Sequence, residues 1–266
     1  MRKTLIVVKL GGSALTDKKR IFTPRAKEIH RAAEQVAQLR KRFSLVVVHG
    51  AGSYGHIPVR QWRLEYGFRS RRQLKGLAAT KSKLLEWEAI FDRIFLKHQI
   101  PLIPLLASDF VVTRKGRISS ADLRPVRNWL GIDCVPSTGG DIVSDRKDGF
   151  SVLSGDQLAT YLAVQLKASR LIFGTDVDGI FSADPRHNPH AHIIRELTSS
   201  TALHAAARAR VSDAPDVTGG MAGKITEAAR AASNGIPVYF VNLTIDNRLV
   251  KAGLDLEVLC SKILPS

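Results

Sequence analysis

Leu5-Ile6-Val7-Val8-Lys9-Leu10-Gly11-Gly12-Ser13 decides how the rest of the chain is read. Four apolar, largely β-branched residues make a strand. A lysine closes it, and two glycines stand where the strand would turn into a helix. The apolar run is unbroken rather than alternating, the pattern of a strand covered on both faces in a mostly parallel sheet. The same pattern recurs at 45–48, 102–106, 171–173 and 238–241. Helical patterns fill the intervals at 24–41, 70–98, 156–167 and 221–234. Thr23-Pro24 reads as an N-cap followed by proline in the first turn. Asn234-Gly235, with Pro237 just beyond, reads as a helix stop. Turns at 114–117 and 146–149 predict antiparallel hairpins set into the α/β chain.

Composition narrows the function classes. The chain has 266 residues, 44% hydrophobic and 24% charged, which fits a globular protein. No apolar run approaches the ~18–20 residues that span a bilayer. The opening apolar segment is too short for a signal peptide, so a cytoplasmic protein without a membrane partner is expected. Cys134 and Cys260 cannot make a disulfide framework or a four-cysteine zinc site. Lysine and arginine total 40 against 24 acids, a net charge of +16. That field attracts polyanions: nucleic acid, anionic membrane, or small phosphorylated ligands. Much of the excess is local, with eight bases against Glu65 alone between Arg60 and Lys83. Trp62, Tyr66 and Phe68 are interleaved there and could stack bases. The same composition also makes an ordinary solvated helical face.

Glycines gather where strands end. After Lys9 come Gly11 and Gly12. The second strand runs into His49-Gly50-Ala51-Gly52-Ser53-Tyr54-Gly55-His56. Ser154-Gly155-Asp156, the turn 174–179 and Asp216-Val217-Thr218-Gly219-Gly220-Met221-Ala222-Gly223-Lys224 follow. Glycine permits close backbone approach to a ligand, and an adjoining helix N-terminus offers free N–H groups to phosphate. In open α/β sheets the ligand crevice lies at the carboxyl ends of strands. Two familiar nucleotide motifs do not fit. Gly50 to Gly55 matches G-x-G-x-x-G, but the next strand begins only near Ile100 and the interval is basic. Gly219 to Lys224 has one residue too few for a P-loop, and Ile225 follows the lysine.

Together these motifs resemble the amino acid kinase superfamily and, within it, the isopentenyl phosphate kinases, over nearly the whole chain. Lys9-Leu10-Gly11-Gly12-Ser13 marks the superfamily, and Gly52-Ser53-Tyr54-Gly55-His56 its phosphate- and phosphonate-using members. Gly116-Arg117-Ile118-Ser119, Ser154-Gly155-Asp156-Gln157 and the 216–224 segment add to the likeness. The resemblance implies a three-layer αβα sandwich with a central, mostly parallel sheet. It implies one domain over 1–266, with the acceptor in about 1–150 and ATP in about 151–266, and a homodimer. The reaction it implies takes ATP, as the Mg2+ complex, and isopentenyl phosphate to isopentenyl diphosphate and ADP.

Carried onto this sequence, the resemblance gives Lys9 the transferring phosphoryl group and Gly11, Gly12 and Ser13 the phosphates. Lys18, in the charged run Asp17 to Arg20, would stabilise the transition state. His56 would hold the acceptor phosphate, helped by backbone at Ala51 and Gly155. Gly52, Asp176 and Gly220 would line the ATP site, and Lys224 would reach its phosphates. No carboxylate cluster marks protein ligands for Mg2+. A fosfomycin-type phosphonate kinase is the enzymatic alternative, and a nucleic-acid-binding protein on the same fold the non-enzymatic one. Gly139 and Leu106-Ala107 depart from the family pattern and leave the acceptor in doubt. The helical stretch 77–94, with Trp87 and Phe91, reads either as wall of an isoprenoid-tail pocket or as core.

Overall fold

The strand expected at the start of the chain spans Leu5–Leu10 in the computed structural model, which describes residues 3–17, 20–185, 187–209 and 220–265. Chain order in the first half is β1 (Leu5–Leu10), α1 (Gly12–Leu15), α2 (Ala26–Arg40), β2 (Ser44–His49), α3 (Ser53–Gln61), α4 (Arg72–Lys97), β3 (Leu102–Pro104), α5 (Ala107–Phe110), β4 (Val111–Arg114), β5 (Arg117–Ala121) and α6 (Arg124–Gly131). Then come β6 (Val135–Gly139), β7 (Asp141–Asp145), β8 (Gly149–Leu153), α7 (Gly155–Gln165), β9 (Arg170–Thr175), β10 (Ile180–Phe181), β11 (Ile193–Ile194), β12 (Glu196–Thr198), α8 (Ser199–Ala209), α9 (Gly220–Ser233), β13 (Val238–Asn242), α10 (Arg248–Gly253) and β14 (Ser261–Leu264).

Among the described residues the main sheet has the order β12-β14-β13-β9-β1-β2-β6-β3. Its pairings are parallel except β13 with β14. The unbroken apolar strands β1, β2, β9 and β13 feed two cores, as their pattern requires, whereas edge strand β3 is half-buried and reaches only one, through Leu102. Ile6 and Val8 point into one with Ile29, Ala32 and Val36 of α2 and Trp87 and Phe91 of α4. Val7 points into the other with Leu158 and Leu162 of α7, Ala202 of α8 and Ala228 and Ala232 of α9. Ile172 and Tyr239 follow the first, Leu171, Phe173, Val238 and Phe240 the second. The result is the αβα sandwich expected. Both expected hairpins form, β4–β5 and β7–β8, and join as a four-stranded sheet ordered β5-β4-β7-β8.

Several expectations are corrected. Thr23-Pro24 does not start α2. Pro24 is held in an antiparallel bridge with Thr16 and the Arg25 amide donates to Leu15 O (2.7 Å), so the helix begins only at Ala26. β3 ends at Pro104, because the Leu105 amide turns to Ser137 O (2.8 Å). β6 was invisible: Val135-Pro136-Ser137-Thr138-Gly139 carries little apolar signal, yet all of it is buried between β2 and β3. One glycine inside α4 is explained by packing. A Cβ on Gly76 would lie 2.2 Å from the Trp62 indole, so that ring rests directly on helix backbone. A mid-helix glycine costs about 1 kcal/mol relative to alanine.

Candidate active site

Leu10 pairs with His49, so β1 and β2 end side by side and their glycine turns emerge together. The Gly50 amide donates to Leu10 O (2.9 Å). A Cβ on Gly12 would lie 2.6 Å from the Gly52 nitrogen, and one on Gly50 would lie 2.5 Å from the Gly12 nitrogen. Backbone meets backbone here, and only glycine allows it. Gly12→Ala is therefore expected to destabilise the protein by about 1–3 kcal/mol, the scale of overpacking, read as a lower urea midpoint at unchanged slope. On the other side of β1 the Gly11 amide donates to Gly174 O (2.8 Å), and Ser13 Oγ donates to Asp176 Oδ1 (3.0 Å).

Three helices begin at this edge. α3 starts after Gly52, whose φ of +50° favours glycine. α7 starts after Ser154, whose Oγ accepts the Gln157 amide (3.1 Å) as an N-cap. α9 starts at Gly220, also at positive φ. Their N-termini open on one cleft of about 990 Å3. Its walls include Lys9, Gly11, Gly12, Ser13, Ala51, Gly52, His56, Gly155, Asp176, Gly220 and Lys224. The structure thus brings together every residue expected from sequence except Lys18, which lies outside the described residues, as does 216–219.

Asp156, to which the sequence reading gave no role, joins the two lysines. Lys9 Nζ lies 2.7 Å from its Oδ1 and Lys224 Nζ donates to its Oδ2 at 2.8 Å. All three are largely buried; Lys9 is only 5% exposed. Burial is the largest influence on Lys9 and lowers its pKa to about 8; Asp156 opposes the shift and Lys224 adds to it. Burial also works against the Asp156 anion, but the two ammonium groups outweigh it and hold the carboxyl well below its usual range. Lys224 Nζ also sits 5.6 Å from the centre of the Phe173 ring. One carboxylate between two ammonium groups leaves net positive charge at the end of β1, facing the helix N-termini.

His56 stands half-buried in the first turn of α3. Near it the cleft wall carries the apolar side chains of Ile57, Val59, Leu84, Ile142 and Val152, with Arg60 and Asp141 among them. The helical stretch 77–94 therefore divides. Leu84 faces the cleft, whereas Trp87 and Phe91 are core. Trp87 Nε1 donates to His49 Nδ1 (3.1 Å), which leaves the neutral imidazole proton on Nε2, 2.9 Å from Glu88 Oε2. Burial, then the Glu88 charge, pushes Asp92 up to about 7. His49 also accounts for Gly139: a Cβ there would lie 2.5 Å from His49 Cε1, so the imidazole occupies the space a larger residue would need. The segment at Leu106-Ala107 is fixed by the Ser108 amide donating to Asp141 Oδ2 (3.0 Å), and Asp141 also binds Lys81. Among the described residues no three His, Cys, Asp or Glu side chains gather as a metal site, and no helix is long and apolar enough to cross a membrane.

Comparison with known proteins identifies the family and the fold. The chain is 32% identical to the isopentenyl phosphate kinase of Methanothermobacter thermautotrophicus, over 97% of this chain and 98% of that one. It is 30% identical to the isopentenyl phosphate kinase of Methanocaldococcus jannaschii, over 83% and 85%. A crystal structure of isopentenyl phosphate kinase superposes with a TM-score of 0.83 at 30% identity, covering 98% of this chain and 99% of that one. The amino acid kinase family model matches residues 4–242, which takes in β1 through β13 and the whole cleft, and the chain belongs to that family.

Proposed function

We propose that the chain transfers the γ-phosphoryl group of ATP to isopentenyl phosphate. An oxygen of the acceptor phosphate attacks the γ-phosphorus, the bond to the β,γ-bridging oxygen breaks, and isopentenyl diphosphate and ADP leave. The observation that carries this reading is the Lys9–Asp156–Lys224 cluster facing His56 across one cleft. A phosphate monoester has a second pKa near 6 and is already an anion at pH 7, so no general base is needed. The barrier lies in bringing two polyanions together, and positioning with charge neutralisation meets it. Lys9 and Lys224 would neutralise the transferring group, and the amides of Gly11, Gly12 and Ser13 would hold the phosphates. Asp176 and Gly220, with Gly52 reaching in from the first part, would line the nucleotide site, so that ATP, as its Mg2+ complex, lies mainly on the part from about 151 onward. His56, with backbone at Ala51 and Gly155, would hold the acceptor phosphate, and the apolar side chains of Ile57, Leu84 and Ile142 would take the five-carbon tail. Lys18 keeps the transition-state role that the family likeness gives it. The same likeness supports a single domain, a homodimer and a cytoplasmic setting.

A coupled ADP-release assay with isopentenyl phosphate, dimethylallyl phosphate and fosfomycin tests the reading. Turnover is expected with the isoprenoid monophosphates, and preference for fosfomycin would sink it. His56→Ala is expected to lose at least ~10²-fold in turnover, the scale of one preorganised donor. Near-parental kinetics in that variant would remove the histidine from the site.

A further inference from the structure

A second cavity, of about 680 Å3, lies between the end of α3 and the start of α4. Trp62, Tyr66, Arg63, Arg69 and Arg72 form its walls, and no acid lines it. The loop that carries them is fixed from within. Buried Gln73 accepts the Arg69 and Ser70 amides (2.7 and 3.1 Å) and donates to Arg63 O and Gly67 O (2.8 and 3.1 Å). Trp62 is seated on the bare backbone of Gly76, which fixes the ring beside the cavity. The Arg63 guanidinium sits 5.8 Å from the centre of the Tyr66 ring. Arg69 reaches Asp148 only at 3.6 Å, and neither Arg63 nor Arg72 has a carboxylate within ion-pair distance among the described residues. Neighbouring turns extend the charge. Asp145 accepts amides from Lys115, Gly116, Lys147 and Asp148, and Asp148 O accepts the Phe68 amide (2.8 Å). Exposed Lys115, Arg146 and Lys147 are thereby held beside the same loop.

Guanidinium groups recognise phosphate through paired N–H donors, and flat aromatic rings stack on nucleobases. We propose that this cavity is a second binding site, distinct from the catalytic cleft, for a nucleoside phosphate. Its base lies against Trp62 and Tyr66, and its phosphate meets Arg63, Arg69 and Arg72. The size fits a mononucleotide, since small-ligand pockets run from about 300 to 1,000 Å3. The ligand arrives either as free nucleotide or as one unit of a single-stranded nucleic acid.

Two titrations at one fixed salt concentration test this and separate the sources. Equilibrium dialysis with labelled ADP counts sites per chain. Fluorescence anisotropy follows a labelled single-stranded RNA of about ten nucleotides. A second ADP per chain identifies free nucleotide, and RNA binding without a second ADP identifies the strand. In either case the double variant Arg63→Gln/Arg72→Gln is expected to lose that binding by at least about tenfold and to phosphorylate the acceptor at the parental rate, which also shows that it folds. Lys97→Gln/Lys251→Gln removes equal charge at remote exposed positions and is expected to bind as the parent does. The proposal fails if neither ligand binds outside the catalytic cleft, or if the arginine variant binds like the parent. It fails equally if the remote variant loses as much, or if only anionic lipid vesicles bind.

Discussion

Lys9→Ala is expected to lower kcat by about 10²–10³-fold, the effect of removing one preorganised charge from a water-excluded site. Lys9 is the penultimate residue of β1, with its ammonium buried against Asp156. Lys224 remains on the far side of Asp156, so part of the charge survives the substitution. The same burial sets a pH signature. With its pKa lowered to about 8 in the free protein, Lys9 is charged below pH 8 and neutral above it. Activity that needs the charged form therefore falls as pH rises through about 8, and kcat/KM for ATP reports this limb because it reads the free enzyme. Lys9→Arg keeps its charge at every accessible pH, so the limb near pH 8 is expected to vanish even where the rate is reduced. A parental alkaline limb in the arginine variant, or near-parental turnover in the alanine variant, would refute the role of Lys9.

Replacement of Asp156 is expected to damage both stability and rate. Asp156→Asn keeps the volume but removes the carboxylate that bridges Lys9 and Lys224. Breaking a buried ion pair from one side costs about 3–5 kcal/mol, because the remaining charge has no partner. The loss should appear as a lower midpoint in chemical denaturation at pH 7. Without the carboxylate, burial and Lys224 act on Lys9 unopposed, and its pKa falls further. Lys9 then sheds its proton at a lower pH than in the parent, and kcat is expected to drop at least ~10²-fold. Lowering the pH should restore part of that activity, which a purely structural defect would not do. A variant as stable and active as the parent would show that the carboxylate does not organise the lysines.

Much of this was written in short segments. Unbroken apolar runs such as 5–8 and 45–48 announced strands with two covered faces, and the structure gives each of them two cores. Lys9 and His56 were legible because each flanks a glycine turn where a strand gives way to a helix. Asp156 was not. An acid in the first turn of a helix is ordinary on its own, and its meaning appears only when α7 is laid beside β1 and α9. β6 escaped because serine, threonine, glycine and proline can sit in a buried strand when both neighbours pair with it. His49 ended an obvious strand, but nothing in sequence tied it to Trp87, Glu88 and Gly139. Residues 77–94 divide because one helical face, with Leu84, meets the cleft and another, with Trp87 and Phe91, meets the sheet; periodicity alone does not say which face is which.

The turn after β1 and the turn after β2 touch through main-chain atoms at Gly12, Gly50 and Gly52, and the Thr16 hydroxyl closes the remaining gap by accepting the Ser53 amide (3.2 Å). The two glycine turns are consequently welded to each other in the middle of the cleft wall. Neither can retreat alone to admit a bulkier guest, so tolerance for larger substrates must be set by what lines the two far ends of the channel.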